Sequence, residues 1–195
     1  MIRTLTAGTI VYRSTLLADD LRTIHFDGAR SRVERTDDDL GVHGPSIELR
    51  TAGRDTVTYC KALRALRICV EYPAEQPVRE EPPHFERLRD TAVIAGIPCR
   101  KGTYTDWRRM HVWYAEEIRV EDPTGAVLQL EGVPGLILQT EEEEERVTVE
   151  KVSFDAPPPE LFSVPPDYRR FDDIDAAQAE ERRLVEGGGR GSVEC

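Results

Sequence analysis

Apolar and polar residues alternate with a period of two along most of this chain, the spacing of half-buried β-strands. After Gly8, Thr9-Ile10-Val11-Tyr12 is a β-branched and aromatic run that predicts the first strand. In Leu21–Phe26, residues Leu21, Thr23 and His25 fall on one face and Arg22, Ile24 and Phe26 on the other. Asp27-Gly28 then signals a two-residue hairpin, with Arg30–Arg35 as a charged return strand. Asp37 to Gly44 reads as a polar loop, Ile47–Arg50 as a strand, and Ala52-Gly53 as a turn.

Val57-Thr58-Tyr59 and Ile68–Tyr72 predict two strands of a hairpin centred near Arg64-Ala65, since a helix over Lys61–Arg67 would be too short to stand alone. Such a hairpin sets Cys60 opposite Cys69, within reach of a disulfide. Two reduced cysteines packed as small apolar side chains fit the same register. Pro73 to Pro83 is a proline-rich loop, and His84 to Leu88 reads as a short turn of helix. Thr91–Ala95 and Cys99–Tyr104 read as strands broken at Gly96-Ile97-Pro98, and Met110–Ala115 as a strand paired with the second. Another strand is expected over Ala126–Leu130, after the turn Asp122-Pro123-Thr124-Gly125.

Leu130 to Glu141 organises the rest. Gly132, Pro134 and Gly135 fix a turn, because glycine tolerates positive φ and proline pre-sets φ. Leu136-Ile137-Leu138 then reads as a buried strand, ended by the acidic run Glu141–Glu145. Val147 to Phe154 changes phase midway, which a β-bulge near Glu150-Lys151 reconciles. Beyond Pro157-Pro158-Pro159, Leu161 to Tyr168 lies back on the body in extended form. Asp175 is the expected N-cap of a helix over Ala176–Glu186, followed by a flexible tail. The chain is therefore mainly β: a domain over 1–168, with a C-terminal helix and tail over 169–195.

Composition narrows function more than fold. The 195 residues carry a formal net charge of −11 with 32% charged side chains, which disfavours nucleic acid and anionic membrane faces as partners. No apolar run approaches the roughly 20 residues of a transmembrane helix. Met1-Ile2-Arg3-Thr4 leads straight into a strand-like segment, so either the protein is cytoplasmic or a leader has been removed.

His25, His43, His84 and His111 are scattered, and Cys99 with His111 lacks a third ligand, so no metal site or cofactor is expected. Asp37-Asp38-Asp39 and the acidic run lack the spacing of a calcium loop. No phosphate loop, nucleophile elbow or acid–base pair appears, and no catalytic residue is assigned.

Ile94-Ala95-Gly96-Ile97-Pro98-Cys99-Arg100-Lys101-Gly102, Val112-Trp113-Tyr114, Ile118, and Gly132-Val133-Pro134-Gly135-Leu136-Ile137-Leu138 occur in the order that resembles the GLPGLI family of envelope proteins. Val133 stands where the motif has Leu, and Leu130-Glu131 where it has an aromatic lead-in. Leu161–Tyr168 resembles the closing phrase of LolA-like, lipoprotein-carrier-like domains, and Asp27–Arg32 their second hairpin. The resemblance implies export to the periplasm or outer envelope. It implies one curved antiparallel sheet, a half-barrel with an apolar concave face, and no catalytic residues. In that compartment the Cys60–Cys69 disulfide is the favoured reading. A concave face lined by Tyr12, Phe26, Tyr59, Tyr72, Met110, Val112, Tyr114 and Leu136 would take a hydrophobic small molecule or an acyl chain. The competing expectations are that these side chains are filled core, or that the protein holds a protein partner at a sheet edge.

Overall fold

In the computed structural model, which describes residues 2–15, 20–36, 45–63, 66–74 and 82–188, the alternating stretches form fourteen strands. They are β1 (Arg3–Leu5), β2 (Gly8–Ser14), β3 (Leu21–Phe26), β4 (Arg30–Arg35), β5 (Ser46–Thr51), β6 (Thr56–Ala62) and β7 (Arg67–Pro73). After them come β8 (His84–Ile94), β9 (Ile97–Thr105), β10 (Arg109–Ala115), β11 (Ile118–Val120), β12 (Leu136–Glu142), β13 (Glu145–Ser153) and β14 (Arg169–Arg170). One helix, α1 (Ile174–Gly188), follows.

Twelve strands make one open sheet in the order β14-β7-β6-β5-β4-β3-β2-β13-β12-β10-β9-β8. Every pairing in it is antiparallel except β14 on β7, and β1 with β11 forms a separate parallel pair. On a flat sheet the four spacings between β13 and β8, at roughly 4.8 Å each, would hold them about 19 Å apart. Their Cα atoms instead approach within 8 Å. The sheet therefore curls, bringing the β8–β9 hairpin back over β13.

The registers put Ile10, Tyr12, Ile24, Phe26 and Val33 on one face of β2–β4, which is the inner face. All five are buried. Leu5, Ile118, Ala126 and Val127 join them in one cluster, so the chain between β11 and β12 fills the hollow of the sheet. This plug is no regular strand, contrary to the expectation for Ala126–Leu130. Its backbone is satisfied by a side chain instead of a ladder. Asp122 Oδ2 accepts from the Val127 N–H at 2.7 Å, and Oδ1 from the Thr124 N–H at 3.0 Å. The Thr124 and Ser31 hydroxyls, 2.7 Å apart, tie the plug to β4.

Other corrections have local causes. His84–Leu88 is the start of β8 and not a helical turn, because pairing with β9 outweighs a weak helical preference. Leu161 does not begin an extended segment: Pro159–Phe162 is one 3₁₀ turn with proline at its first position, where no N–H is missed. The cap of α1 is Asp173, whose Oδ1 accepts from the Ala176 N–H at 2.7 Å, and not Asp175. The bulge expected near Glu150-Lys151 is present in β13, between Val149 and Lys151. The stretch after 168 is built into the sheet, with the Phe171 N–H donating to the Cys69 carbonyl at 2.9 Å beside β14. The tip of the β6–β7 hairpin, the Asp37–Gly44 loop, most of the proline-rich loop and the tail from 189 lie outside the described residues.

Candidate functional site

The β8–β9 hairpin turns on Ala95 and Gly96, both at positive φ, the geometry of a two-residue type I′ turn. Pro98 is tolerated in β9 because it pairs with Val93 on β8, beyond the point where β10 joins. The hairpin tip curls toward the end of β13 and leaves a cavity of about 890 Å³ beneath it. Its walls include Ala92, Ile97, Cys99, Ala115, Ile118 and Phe154. Arg3, Arg100, Glu116 and Glu117 add charge to the lining. The Arg3 guanidinium lies 3.5 Å over the Phe154 ring, and Glu116 pairs with Arg87 at 2.8 Å and Arg100 at 2.9 Å.

Cys99 donates a weak hydrogen bond to the Ala92 carbonyl at 3.4 Å, and burial pushes its thiol above the usual range, so the thiolate a nucleophile needs is disfavoured. Cys99 lies opposite Ala92 and His111 opposite Thr103, so the register does not bring Cys99 and His111 together. Among the described residues no group of three His, Cys, Asp or Glu side chains is placed to hold a metal. The acidic run is occupied with ion pairs: Glu142 with Arg108 at 2.8 Å, and Glu141 with Arg146 at 3.4 Å and Lys101 at 3.6 Å. His43 and Asp37–Asp39 lie outside the described residues.

The eight side chains proposed from sequence to line the hollow fall into three places. Tyr12, Phe26 and Leu136 are fully packed in the cluster that contains the plug. Met110, Val112 and Tyr114 form a second cluster with Tyr104, closed by Phe85, Leu130 and Val133. Tyr59 and Tyr72 stand edge to face at 6.1 Å on β6 and β7, apart from both. Of the eight, only Tyr114 also lines the cavity under the hairpin. The wall residues Ala92, Ile97 and Phe154 escaped sequence reading because the curl that brings β8 to β13 leaves no mark in local periodicity. In the motif turn, Gly132 and Gly135 hold positive φ and Val133 packs on the second cluster. Cys60 and Cys69 are directly opposed on β6 and β7 with Cα atoms 4.1 Å apart, and their sulfurs are joined.

No protein-family model matches the sequence, and no curated protein matches it either, so the likeness to the GLPGLI family rests on the motif residues alone. Among solved structures, the fold is similar to an uncharacterized conserved protein from Thermus thermophilus, with a TM-score of 0.55. That match has 12% identity over 86% of this chain and 91% of that one. Looser likenesses are to MucB in complex with MucA(peri) (TM-score 0.47, 16% identity, 83% of this chain and 54% of that one) and to PNGF-II (0.45, 12%, 89% and 33%). A further MucB match names Pseudomonas aeruginosa as the source. This chain thus spans about half of MucB and a third of PNGF-II. At such identities the likeness concerns the fold only: mainly β, one large open sheet that is mostly antiparallel, and one C-terminal helix.

Proposed function

We propose that this chain is a non-enzymatic binding protein of the cell envelope that holds an apolar guest, such as an acyl chain, under the β8–β9 hairpin. The observation that carries the reading is the cavity of about 890 Å³, lined by Ala92, Ile97, Ile118 and Phe154 together with Arg3, Arg100, Glu116 and Glu117. That size lies in the range of roughly 300–1,000 Å³ typical of small-molecule sites. The location is supported by the Cys60–Cys69 disulfide, which persists in oxidising compartments. The guest sits beside the plug and not in the main hollow, which the chain's own side chains occupy.

The test is native mass spectrometry of gently purified protein, followed by titration with cis-parinaric acid. Ala92→Trp would fill the cavity from β8 and is expected to weaken the probe by roughly tenfold or more, about 1.4 kcal/mol, with the fold intact by circular dichroism. Absence of any copurified or added apolar ligand, or equal affinity in the variant, would sink the reading.

A second reading has its own observation. Strand β8 is an 11-residue sheet edge. A partner strand could add there through backbone hydrogen bonds. Its first half is guarded by Glu86, Arg87, Arg89 and Asp90 and by a register shift between Arg87 and Thr91, leaving Thr91–Ile94 as the open part. Val93→Pro, which would block pairing along this edge, is expected to abolish partner capture with the fold intact by circular dichroism, and undiminished capture would end this second reading.

A further inference from the structure

The inner face of the sheet changes character between β3 and β5. Aligned with the buried Ile24 and Val33, the same face presents Arg22 on β3, Arg35 on β4, and Glu48 and Arg50 on β5. Arg22 and Arg35 are directly opposed across the two strands. Two like charges in that position repel, and nothing in the pairing requires them. Glu48 is the carboxylate that bonds this group, with Arg50 at 2.9 Å and Arg35 at 3.4 Å. Arg22 spends one N–H on the Ala126 carbonyl of the plug at 3.2 Å. Among the described residues, three guanidiniums share this one bonded carboxylate, in a protein whose formal net charge is −11.

The donors show the same imbalance. The Nε atoms of Arg22, Arg35 and Arg50 are each buried without a hydrogen-bond partner among the described residues. An orphaned buried donor is costly, more so on a charged group. Burial, and next the charge of Arg35, hold the Arg22 guanidinium below its usual value. Beside Arg22 lies a cavity of about 370 Å³, bounded by Asp122, Gln129 and plug residues between them. The side chains of Arg35 and Arg50 remain 29% and 28% exposed, so solvent reaches the group.

We propose that Arg22, Arg35 and Arg50 form a binding site for a phosphate dianion, free or as the monoester head of a lipid. The excess of guanidiniums over the one carboxylate bonded to them favours an anion, and planar guanidiniums present paired N–H groups to phosphate oxygens. The site shares no residue with the cavity under the β8–β9 hairpin, so its fate is independent of the function proposed above.

The experiment follows thermal unfolding and calorimetric titration of the full chain at constant ionic strength. The probes are orthophosphate, dihexanoyl-phosphatidate and, as a zwitterionic control, dihexanoyl-phosphatidylcholine. Saturable binding of orthophosphate or phosphatidate is expected, weakened at least roughly tenfold in Arg35→Gln and in Arg50→Gln and unchanged in Arg146→Gln. Without ligand, Arg35→Gln is expected to melt no lower than the parent, because a repulsive pair is relieved. Phosphatidate binding much more tightly than orthophosphate identifies a lipid head as the source, and equal binding identifies the free ion. Two results overturn the proposal: no saturable response to either anion, or a response that Arg35→Gln and Arg146→Gln share with the parent. The latter would mean a general ionic effect, or a wall already neutralised by the chain's own carboxylates.

Discussion

Gly135→Ala isolates the contact that joins the motif turn to the sheet. Gly135 sits at φ +97°, just before β12. A Cβ there would overlap the Ala115 carbonyl oxygen and stand 2.8 Å from its carbon and 3.1 Å from Glu116 Cα. All three are backbone atoms at the end of β10, where Ala115 pairs with Leu136. The neighbour cannot rotate away as a side chain would, so the ladder end must move. Positive-φ strain costs about 1–3 kcal/mol, and forced repacking about 1–3 kcal/mol more. The stiffer unfolded chain returns about 0.4–1 kcal/mol. The net expectation is a loss of roughly 2–4 kcal/mol, which at an m-value of about 2 kcal/mol/M lowers the urea midpoint by about 1–2 M. Gly132→Ala is the matched control. Gly132 is also at positive φ, +82°, but its added Cβ would meet only Phe85 Cβ at 3.6 Å, an ordinary contact. It should lose only the strain, about 1 kcal/mol after the same offset. Equal midpoints for the two variants, or a shift below about 0.3 M for Gly135→Ala, would refute the backbone-clash argument.

Other perturbations address other parts of the molecule. Cys60→Ser opens a loop with a sequence separation of 9, and is expected to cost about 2–3 kcal/mol in oxidising buffer and almost nothing beside the reduced parent. Identical melting with and without reductant would mean that the bond does not form in solution. Asp122→Ala orphans the buried Val127 N–H and frees Thr124, at a cost of about 2–4 kcal/mol. Hydrogen exchange should then rise across 122–130 before the rest of the sheet, whereas uniform protection would deny Asp122 its role in holding the plug. For His25, burial lowers the imidazole below its usual value, while Nδ1 lies 2.9 Å from Thr9 Oγ1. The unfolded chain then takes up the proton first, so this contribution is complete above the unfolded value of about 6.5 and is lost as pH falls below it. The stability gap between the parent and His25→Gln should narrow from about pH 8 to about pH 5, both values set by that window. A constant gap would contradict the assignment.

Strand positions were legible wherever alternation was strong and the turn chemistry explicit. Leu21–Phe26 and Arg30–Arg35 occupy the predicted places because neighbouring residues supply the pairing, with the turn one residue later than expected, on Gly28-Ala29. The bulge beside Glu150 was readable because a phase change in apolar positions has few other causes. His84–Leu88 and Ala126–Leu130 were misread for one reason: their conformation depends on distant partners. The first takes its ladder from β9, and the second its hydrogen bonds from Asp122 in place of a strand. The cavity was illegible because the Phe154 and Ile97 that frame it are 57 residues apart and meet only through curl. The arginine wall was half visible. Arg22, Arg35 and Arg50 each sit in a strand the alternation identifies, but the shared face follows only from the register of three strands.

The plug between β11 and β12 is a tethered competitor for the main hollow. Any outside molecule seeking the space around Ile24 and Phe26 must first evict Ala126 and Val127. Its apparent dissociation constant there equals the intrinsic one divided by the fraction of molecules with the plug displaced. Loosening the Asp122 clasp would thus make the interior look more receptive while the protein itself becomes less stable.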